Sequence, residues 1–277
     1  MKQGTSLWNV SRVECGEVTE LQDEVAVEFP LTLVVNGKEF ATMVCSPLDL
    51  EVLVIGFLAS EGIIRRKEDI SSLSIDEDTG FAYIELTKEV PVVSTMEKRW
   101  IGSCCGKSRA FYFQSDAKTA RTIMNHFQLE PEVCLQLMKQ FHAEAQVFKK
   151  TGGVHQASIA TREGLEVTFA DIGRHNALDK LLGHMILHQL RNKEHTVLFS
   201  GRISSEVLLK ISKMGIGFLL SKSAPTDLAL KLAEDLNITA IGFVRDDRMN
   251  VYTHPERLKT DVAPSFSEMN KGGIDVD

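Results

Sequence analysis

The sequence predicts an α/β fold, α+β overall, in which a smaller β-rich half precedes a larger α/β half. Three observations lead there. The chain has 277 residues, 43% of them hydrophobic and 25% charged, which supplies a buried core and excludes global disorder. Its first hundred residues read mainly as strands broken by turns. After Gly152-Gly153, short apolar strands alternate with helical stretches, the βαβ signature of a mainly parallel sheet.

The elements follow in order. Residues 31–35 and 38–44 form a hairpin across Asn36-Gly37, the pair that a type I′ turn favours. Ser46-Pro47 reads as an N-cap and first helical position. The helix behind it carries Leu50, Leu53, Val54, Phe57 and Leu58 at helical spacing and stops at Gly62. A second hairpin turns around residues 76–80 and leads into 81–86. Residues 91–108 show no periodicity and read as a long loop, which in compact domains is usually functional or disordered. Pro131 opens an amphipathic helix with Val133, Leu137, Phe141, Ala145 and Phe148 on one stripe, closed by Gly152-Gly153. Strands at 154–160 and 165–170, a helix at 176–190, a strand at 196–200 and a helix at 203–214 come next. A strand at 216–220, a helix at 225–236 and a strand at 239–244 complete the set. The expected division is 1–110, 111–258 and a fraying tail at 259–277.

Composition narrows the function. A net charge of −7 argues against a broad nucleic-acid surface. No apolar run approaches the roughly 20 residues of a membrane span. The polar start lacks a secretory signal, so the expected location is the cytoplasm. The five cysteines are Cys15, Cys45, Cys104, Cys105 and Cys134. An odd number without any C-x-x-C spacing describes neither a disulfide framework nor a zinc ribbon, so no structural metal is expected.

Cys104 and Cys105 lie between Gly102 and Gly106, with Lys107 and Arg109 just beyond. Cations lower a thiol's pKa, and the thiolate is the nucleophile. Adjacent cysteines close a strained ring, so the pair suits holding or passing a sulfur atom better than a stable bridge.

Three strand-to-helix junctions form a second constellation. They span residues 171–176, 200–204 and 221–226 and contribute Arg174, His175, Arg202, Lys222, Ser223 and Thr226. One such junction is ordinarily just a capped helix. Three along one sheet edge, each with a cation, suit an anionic, nucleotide-like ligand at helix N-termini. Phe243-Val244-Arg245-Asp246-Asp247-Arg248 adds two guanidinium groups suited to phosphate. His155 and His175 lie beside glycines at the same edge, and Asp171 is spaced to orient His175. His142 sits inside the amphipathic helix and reads as a surface or packing residue. Gly215-Ile216-Gly217 lacks the third glycine of a dinucleotide fingerprint, and no P-loop or nucleophile elbow occurs. His142-Ala143-Glu144 has the first half of a zinc deaminase signature without its P-C-x-x-C half.

Taken together, Gly152-Gly153-Val154-His155, the run from Asp171 to Lys180, Ser223-Ala224-Pro225-Thr226 and the run from Asn250 to Arg257 resemble the FdhD family of sulfur carriers. Members of that family are required for formate dehydrogenase activity, and residues 103–108 resemble their cysteine loop. The resemblance implies a C-terminal α/β domain of the cytidine deaminase type, without its zinc, and a homodimer. It also implies a route for sulfur. A cysteine desulfurase would load a persulfide on Cys104 or Cys105. The sulfur would then pass to the bis(molybdopterin guanine dinucleotide) form of the molybdenum cofactor before insertion into formate dehydrogenase. The family's cofactor-binding stretch maps onto Phe243, Val244, Arg245, Asp246, Asp247 and Arg248. One departure stands out: many members have C-x-x-C in the loop, whereas here the cysteines adjoin and Gly102 takes the outer position. Two other readings stay open, a cofactor-binding chaperone and a thiol hydrolase using Cys105 with His155 or His175 as base.

Overall fold

The computed structural model describes residues 4–88, 100–101, 120–125, 127–190 and 194–259. The chain opens with a two-stranded antiparallel ribbon, β1 (Thr5–Glu14) and β2 (Glu17–Ala26). A five-stranded sheet follows, from β3 (Phe29–Val35), β4 (Lys38–Cys45), β5 (Ile70–Asp76), β6 (Phe81–Leu86) and β7 (Trp100–Ile101), in the order β5-β6-β3-β4-β7. Helix α1 (Leu50–Ser60) packs against it. The C-terminal half begins with α2 (Pro131–Ala143) and α3 (Gln146–Thr151). Next come β8 (His155–Thr161), β9 (Gly164–Asp171), α4 (Arg174–His188), β10 (Thr196–Phe199) and α5 (Ser205–Met214). The half ends with β11 (Phe218–Ser221), α6 (Asp227–Leu236), β12 (Thr239–Gly242) and β13 (Asn250–Val251). Its six strands are ordered β13-β12-β11-β10-β8-β9.

Local sequence explains these elements. In β3 the apolar side chains of Phe29, Leu31, Leu33 and Val35 all turn inward, the period-two pattern of a sheet with one buried face. Asn36 and Gly37 both take positive φ, 46° and 73°, as a type I′ turn requires. Strands β10, β11 and β12 are buried throughout because both faces are covered. Leu198, Leu220 and Ile241 pack on α2, while Val197, Leu219 and Ala240 pack on α4, α5 and α6. Helix α1 has no polar stripe because it is held between the first sheet and α4. At that crossing Gly56 meets Gly183 so closely that a Cβ on Gly56 would lie 1.7 Å from the Asp179 carbonyl oxygen. The two halves therefore meet through backbone.

Three expectations are corrected. Ser46-Pro47 does not start α1, whose N-cap is Asp49. Ser46 instead bonds across to the second half, its Oγ accepting from Ile172 N at 3.1 Å and its N–H donating to Asp171 at 3.2 Å. The helix from Pro131 does not reach Gly152. It breaks after Ala143, where the Gln156 side chain donates to the Phe141 carbonyl and Lys149 Nζ to the Ala143 carbonyl, taking acceptors a longer helix would use. Phe148 is consequently half exposed on α3. The second sheet is mixed rather than mainly parallel: β10-β11 and β11-β12 are parallel, but β10-β8, β8-β9 and β12-β13 are antiparallel. The βαβ texture covers only its middle. Cys15 is an exposed turn residue at φ 52°. No helix among the described residues is long and apolar enough to cross a membrane.

Candidate functional site

The register of the second sheet places its loops side by side. His155, which starts β8, lies opposite Asp171, which ends β9. Ala157 pairs with Phe199, so Ser200 leaves β10 beside the start of β8. Ser221 ends β11 next to it, and Gly242 ends β12 one strand further. One edge of the sheet thus gathers all three strand-to-helix junctions and the turn that follows β12.

Hydrogen bonds tie these loops together. Ser200 Oγ accepts from Gln156 N at 2.9 Å and lies 3.3 Å from His155 Nδ1. Ser223 Oγ donates to the Ser200 carbonyl at 3.1 Å, and Ser221 Oγ donates to the Gly201 carbonyl at 2.7 Å. Phe243 N and Val244 N donate back to the carbonyls of Ser223 and Ser221, at 3.2 and 3.1 Å. The helices start immediately behind, with Gly173, Ser204 and Thr226 as N-caps. Only Ser204 uses its side chain, accepting from Val207 N at 3.5 Å. Thr226 makes no side-chain cap, and its backbone N donates to Ile203 O. The edge therefore presents three helix N-termini on a braced frame, a setting that favours anions.

The residues expected at the site divide into several groups. Arg174 and His175 form the first turn of α4, and the Arg174 stem packs over Gly201. Arg202 is exposed between β10 and α5. Phe243 turns the chain at φ 52° and leaves its ring 40% exposed. Asp246, Asp247 and Arg248 are exposed beyond it. Arg245 is exposed too, but its Nη1 donates to the carbonyls of Lys222 and Val244, so its guanidinium braces the turn. The Val244 side chain is buried against the α2 core. Cys104 and Cys105 lie outside the described residues. The remaining cysteines differ in setting. Burial pushes the thiols of Cys45 and Cys134 up to about 12, which removes them as nucleophiles.

A correction concerns Asp171. It does not orient His175. Its carboxylate is fully buried, pairs with the equally buried Lys180 at 2.8 Å, and accepts from Gly173 N and Asn176 Nδ2 at 2.8 and 2.9 Å. Lys180 also donates to Ala170 O, and Asn176 to Val44 O. These residues clamp the start of α4 to the end of β4. His175 turns instead to Glu206, Nε2 to Oε2 at 3.0 Å. Burial holds the His175 pKa below its ordinary value despite that carboxylate, and the contact with His175 draws Glu206 down. His155 is also lowered, first by burial and then by His175. Two neutral imidazoles and one carboxylate therefore stand at the edge near neutral pH.

The helical reading of His142 missed its surroundings. Met138, Lys139 and His142 of α2 line a small hollow of about 70 Å³ with Lys222, Val244, Arg245 and Asp246. Burial and the cations Lys222 and Arg245 lower the His142 pKa. Periodicity placed His142 on the flank of α2, but only tertiary packing shows what that flank meets. Among the described residues no group of three histidine, cysteine or acidic side chains is arranged to hold a metal ion.

Comparison with known proteins agrees with this frame. The model of the FdhD/NarQ family matches residues 26–259. The chain is 57% identical over 246 residues to the sulfur carrier protein FdhD of Halalkalibacterium halodurans, covering 88% of this chain and 91% of that protein. It is 52% identical over 256 residues to the sulfur carrier protein FdhD of Bacillus subtilis, covering 92% and 98%. Among solved structures, a Desulfotalea psychrophila protein provisionally described as a formate dehydrogenase accessory protein superposes with a TM-score of 0.76. That match covers 93% of this chain and all of that one at 24% identity, a likeness of fold.

Proposed function

Because this chain belongs to the FdhD/NarQ family, we propose that it is a sulfur carrier for formate dehydrogenase. It takes sulfur from a cysteine desulfurase and delivers it to the bis(molybdopterin guanine dinucleotide) cofactor. The observation that carries the reading is the braced sheet edge, which gathers three helix N-termini and the turn after β12, with Arg202, Arg248 and the Phe243 ring exposed on these segments. The N-termini and guanidinium groups suit phosphates, and the ring offers a face for stacking a purine.

The last described strand before the cysteines lies beside β4, which leads toward that edge. β7 ends at Ile101 beside Met43, and β4 continues from Met43 to the Ser46 that bonds Ile172. In the loading step, the Cys104 or Cys105 thiolate attacks the outer sulfur of the desulfurase persulfide. A new S–S bond forms, the old one breaks, and the desulfurase cysteine leaves as a thiolate, with no external oxidant or reductant. Lys107 and Arg109 favour the attacking thiolate. The carrier works as a homodimer in the cytoplasm.

The test is direct. Incubation with a cysteine desulfurase and cysteine should add one sulfur atom to the peptide holding Cys104 and Cys105, read by mass spectrometry. Cys104→Ala, Cys105→Ala or the double variant should lose that adduct and the activation of formate dehydrogenase. If no adduct forms and all three variants still activate the enzyme, the carrier reading is wrong and a cofactor-binding chaperone replaces it.

A further inference from the structure

Helix α4 carries titratable side chains at both ends. Arg174 and His175 open it at the sheet edge. His184 and His188 close it, about 20 Å away along an axis that rises about 1.5 Å per residue. The proposed cofactor site therefore leaves these two histidines unused. Residues four apart share a helix face, with Cβ atoms about 5–6 Å from each other. The two rings lean closer than that, with centroids 4.2 Å apart and planes inclined by 40°. Phe169 on β9 meets the His184 ring edge to face at 5.7 Å and supports it from behind. Other histidines have polar company: His155, His175, His195 and His254 each lie beside a hydroxyl or a carboxylate. Among the described residues, neither His184 nor His188 makes a hydrogen bond or an ion pair. His184 is half-buried and His188 exposed, so the pair is open to a ligand from solvent. The Glu166 carboxylate, which holds His195 at 3.0 Å, also acts on the charge of His184.

We propose that His184 and His188 form a two-imidazole site for a divalent transition-metal ion. Spacing supplies the first argument, because imidazoles at i and i+4 on one helix face are the ligand pair of helix-borne metal sites. Donor chemistry then selects the ion. Imidazole nitrogen suits Zn²⁺, Ni²⁺ and Cu²⁺, whereas Mg²⁺ and Ca²⁺ take oxygen ligands and Cu⁺ takes sulfur. Charge selects a cation over an anion, since the Glu166 carboxylate stands near the pair and would repel a phosphate or sulfate. Among the described residues no third histidine, cysteine or acidic group converges with the two rings. Water completes the coordination sphere, and the site is an open one that loads and releases its ion, unlike the closed four-ligand sites that hold a fold together. Phe169 and the helix backbone keep the rings on one face in the free protein, so little ordering is left for the ion to impose.

Nickel titration of the untagged full chain tests this, in a Cys104→Ser/Cys105→Ser background so that the thiols do not compete. Isothermal titration with Ni²⁺ should show one site per chain. His184→Gln and His188→Gln should each weaken binding by about tenfold or more, since each removes one of two ligands. His254→Gln should leave the affinity unchanged. Glu166→Gln should weaken it by about two- to threefold, the effect of a neighbouring charge that is not a ligand. Nuclear magnetic resonance of the imidazoles gives a second measurement that holds even if a variant fails to fold. Ni²⁺ is paramagnetic, and at substoichiometric amounts it should broaden the ring signals of His184 and His188 before those of the other histidines. Equal affinity in both glutamine variants overturns the proposal and leaves the two rings a packing contact. Broadening that begins at other histidines, or no binding below millimolar Ni²⁺, overturns it too. The sulfur-loading test is independent of all these outcomes, because it reads Cys104 and Cys105 in the wild type.

Discussion

Segments 171–180 and 243–248 meet at the same sheet edge and carry similar charged and polar side chains, yet the fold uses them differently. In the first, Asp171, Asn176 and Lys180 are buried and bonded to one another or to β4. In the second, Arg245, Asp246, Asp247 and Arg248 face solvent, and only Arg245 is tied to backbone. A dense polar run can therefore be a joint or a contact surface, and burial separates the two. Even within the first segment the split recurs, because Arg174 and His175 stand at the edge while their neighbours lock α4 in place.

Removing one partner of the joint should have the largest effect. Lys180→Met leaves the Asp171 carboxylate buried without its cation, at a cost of about 3–5 kcal/mol. The urea midpoint should fall accordingly, and Asp171→Asn/Lys180→Met should recover part of the loss. If Lys180→Met unfolds at the wild-type midpoint, the pair is not a joint and the contrast between the segments fails.

The exposed segment should show the reverse. Arg202→Ala and Arg248→Ala should change stability by no more than about 0.5 kcal/mol. Each should weaken binding of GDP, used as a probe of the guanine dinucleotide ends, by about tenfold or more, the worth of one charge-assisted hydrogen bond. Arg245→Ala should disturb both quantities, since its guanidinium supports the turn. Isothermal titration with GDP and urea unfolding read the two effects separately. Unchanged affinity in both Arg202→Ala and Arg248→Ala would move the cofactor reading away from this edge.

These contrasts explain what the sequence made legible. Alternating strands and helices foretold the middle of the second sheet, and Asn36-Gly37 foretold its hairpin, because both depend on local geometry. The junctions at Arg174, Arg202 and Ser223 were found from the βα texture, which fixes which strand ends share an edge. The Asp171–Lys180 joint was not found, because its partners Ser46 and Val44 lie more than a hundred residues away. Nor was the burial of Val244, which depends on α2 crossing the sheet. The helix break after Ala143 escaped for a similar reason: the Gln156 side chain that takes the Phe141 carbonyl comes from β8.

The smallest effect concerns pH and compares the joint with the imidazoles beside it. His142, His155, His175 and His184 all sit below their ordinary pKa of 6.5, in each case chiefly through burial. On unfolding they regain that value and bind protons more readily. Their contribution to stability is therefore complete above about pH 6.5 and declines as pH falls toward the folded values. Each contributes at most about 1.4 kcal/mol per pH unit to the slope. Urea midpoints should fall between pH 7.5 and 5.5, and His175→Gln should flatten part of that fall. Glu206→Gln separates the causes acting on His175. Glu206 itself is drawn below 4.5, so it stays ionised across this window. Its carboxylate opposes the effect of burial on His175, so removing it should depress His175 further and steepen the fall. An unchanged or flatter profile in Glu206→Gln would mean that the carboxylate does not raise the His175 pKa, and that the contact does not oppose burial at this edge.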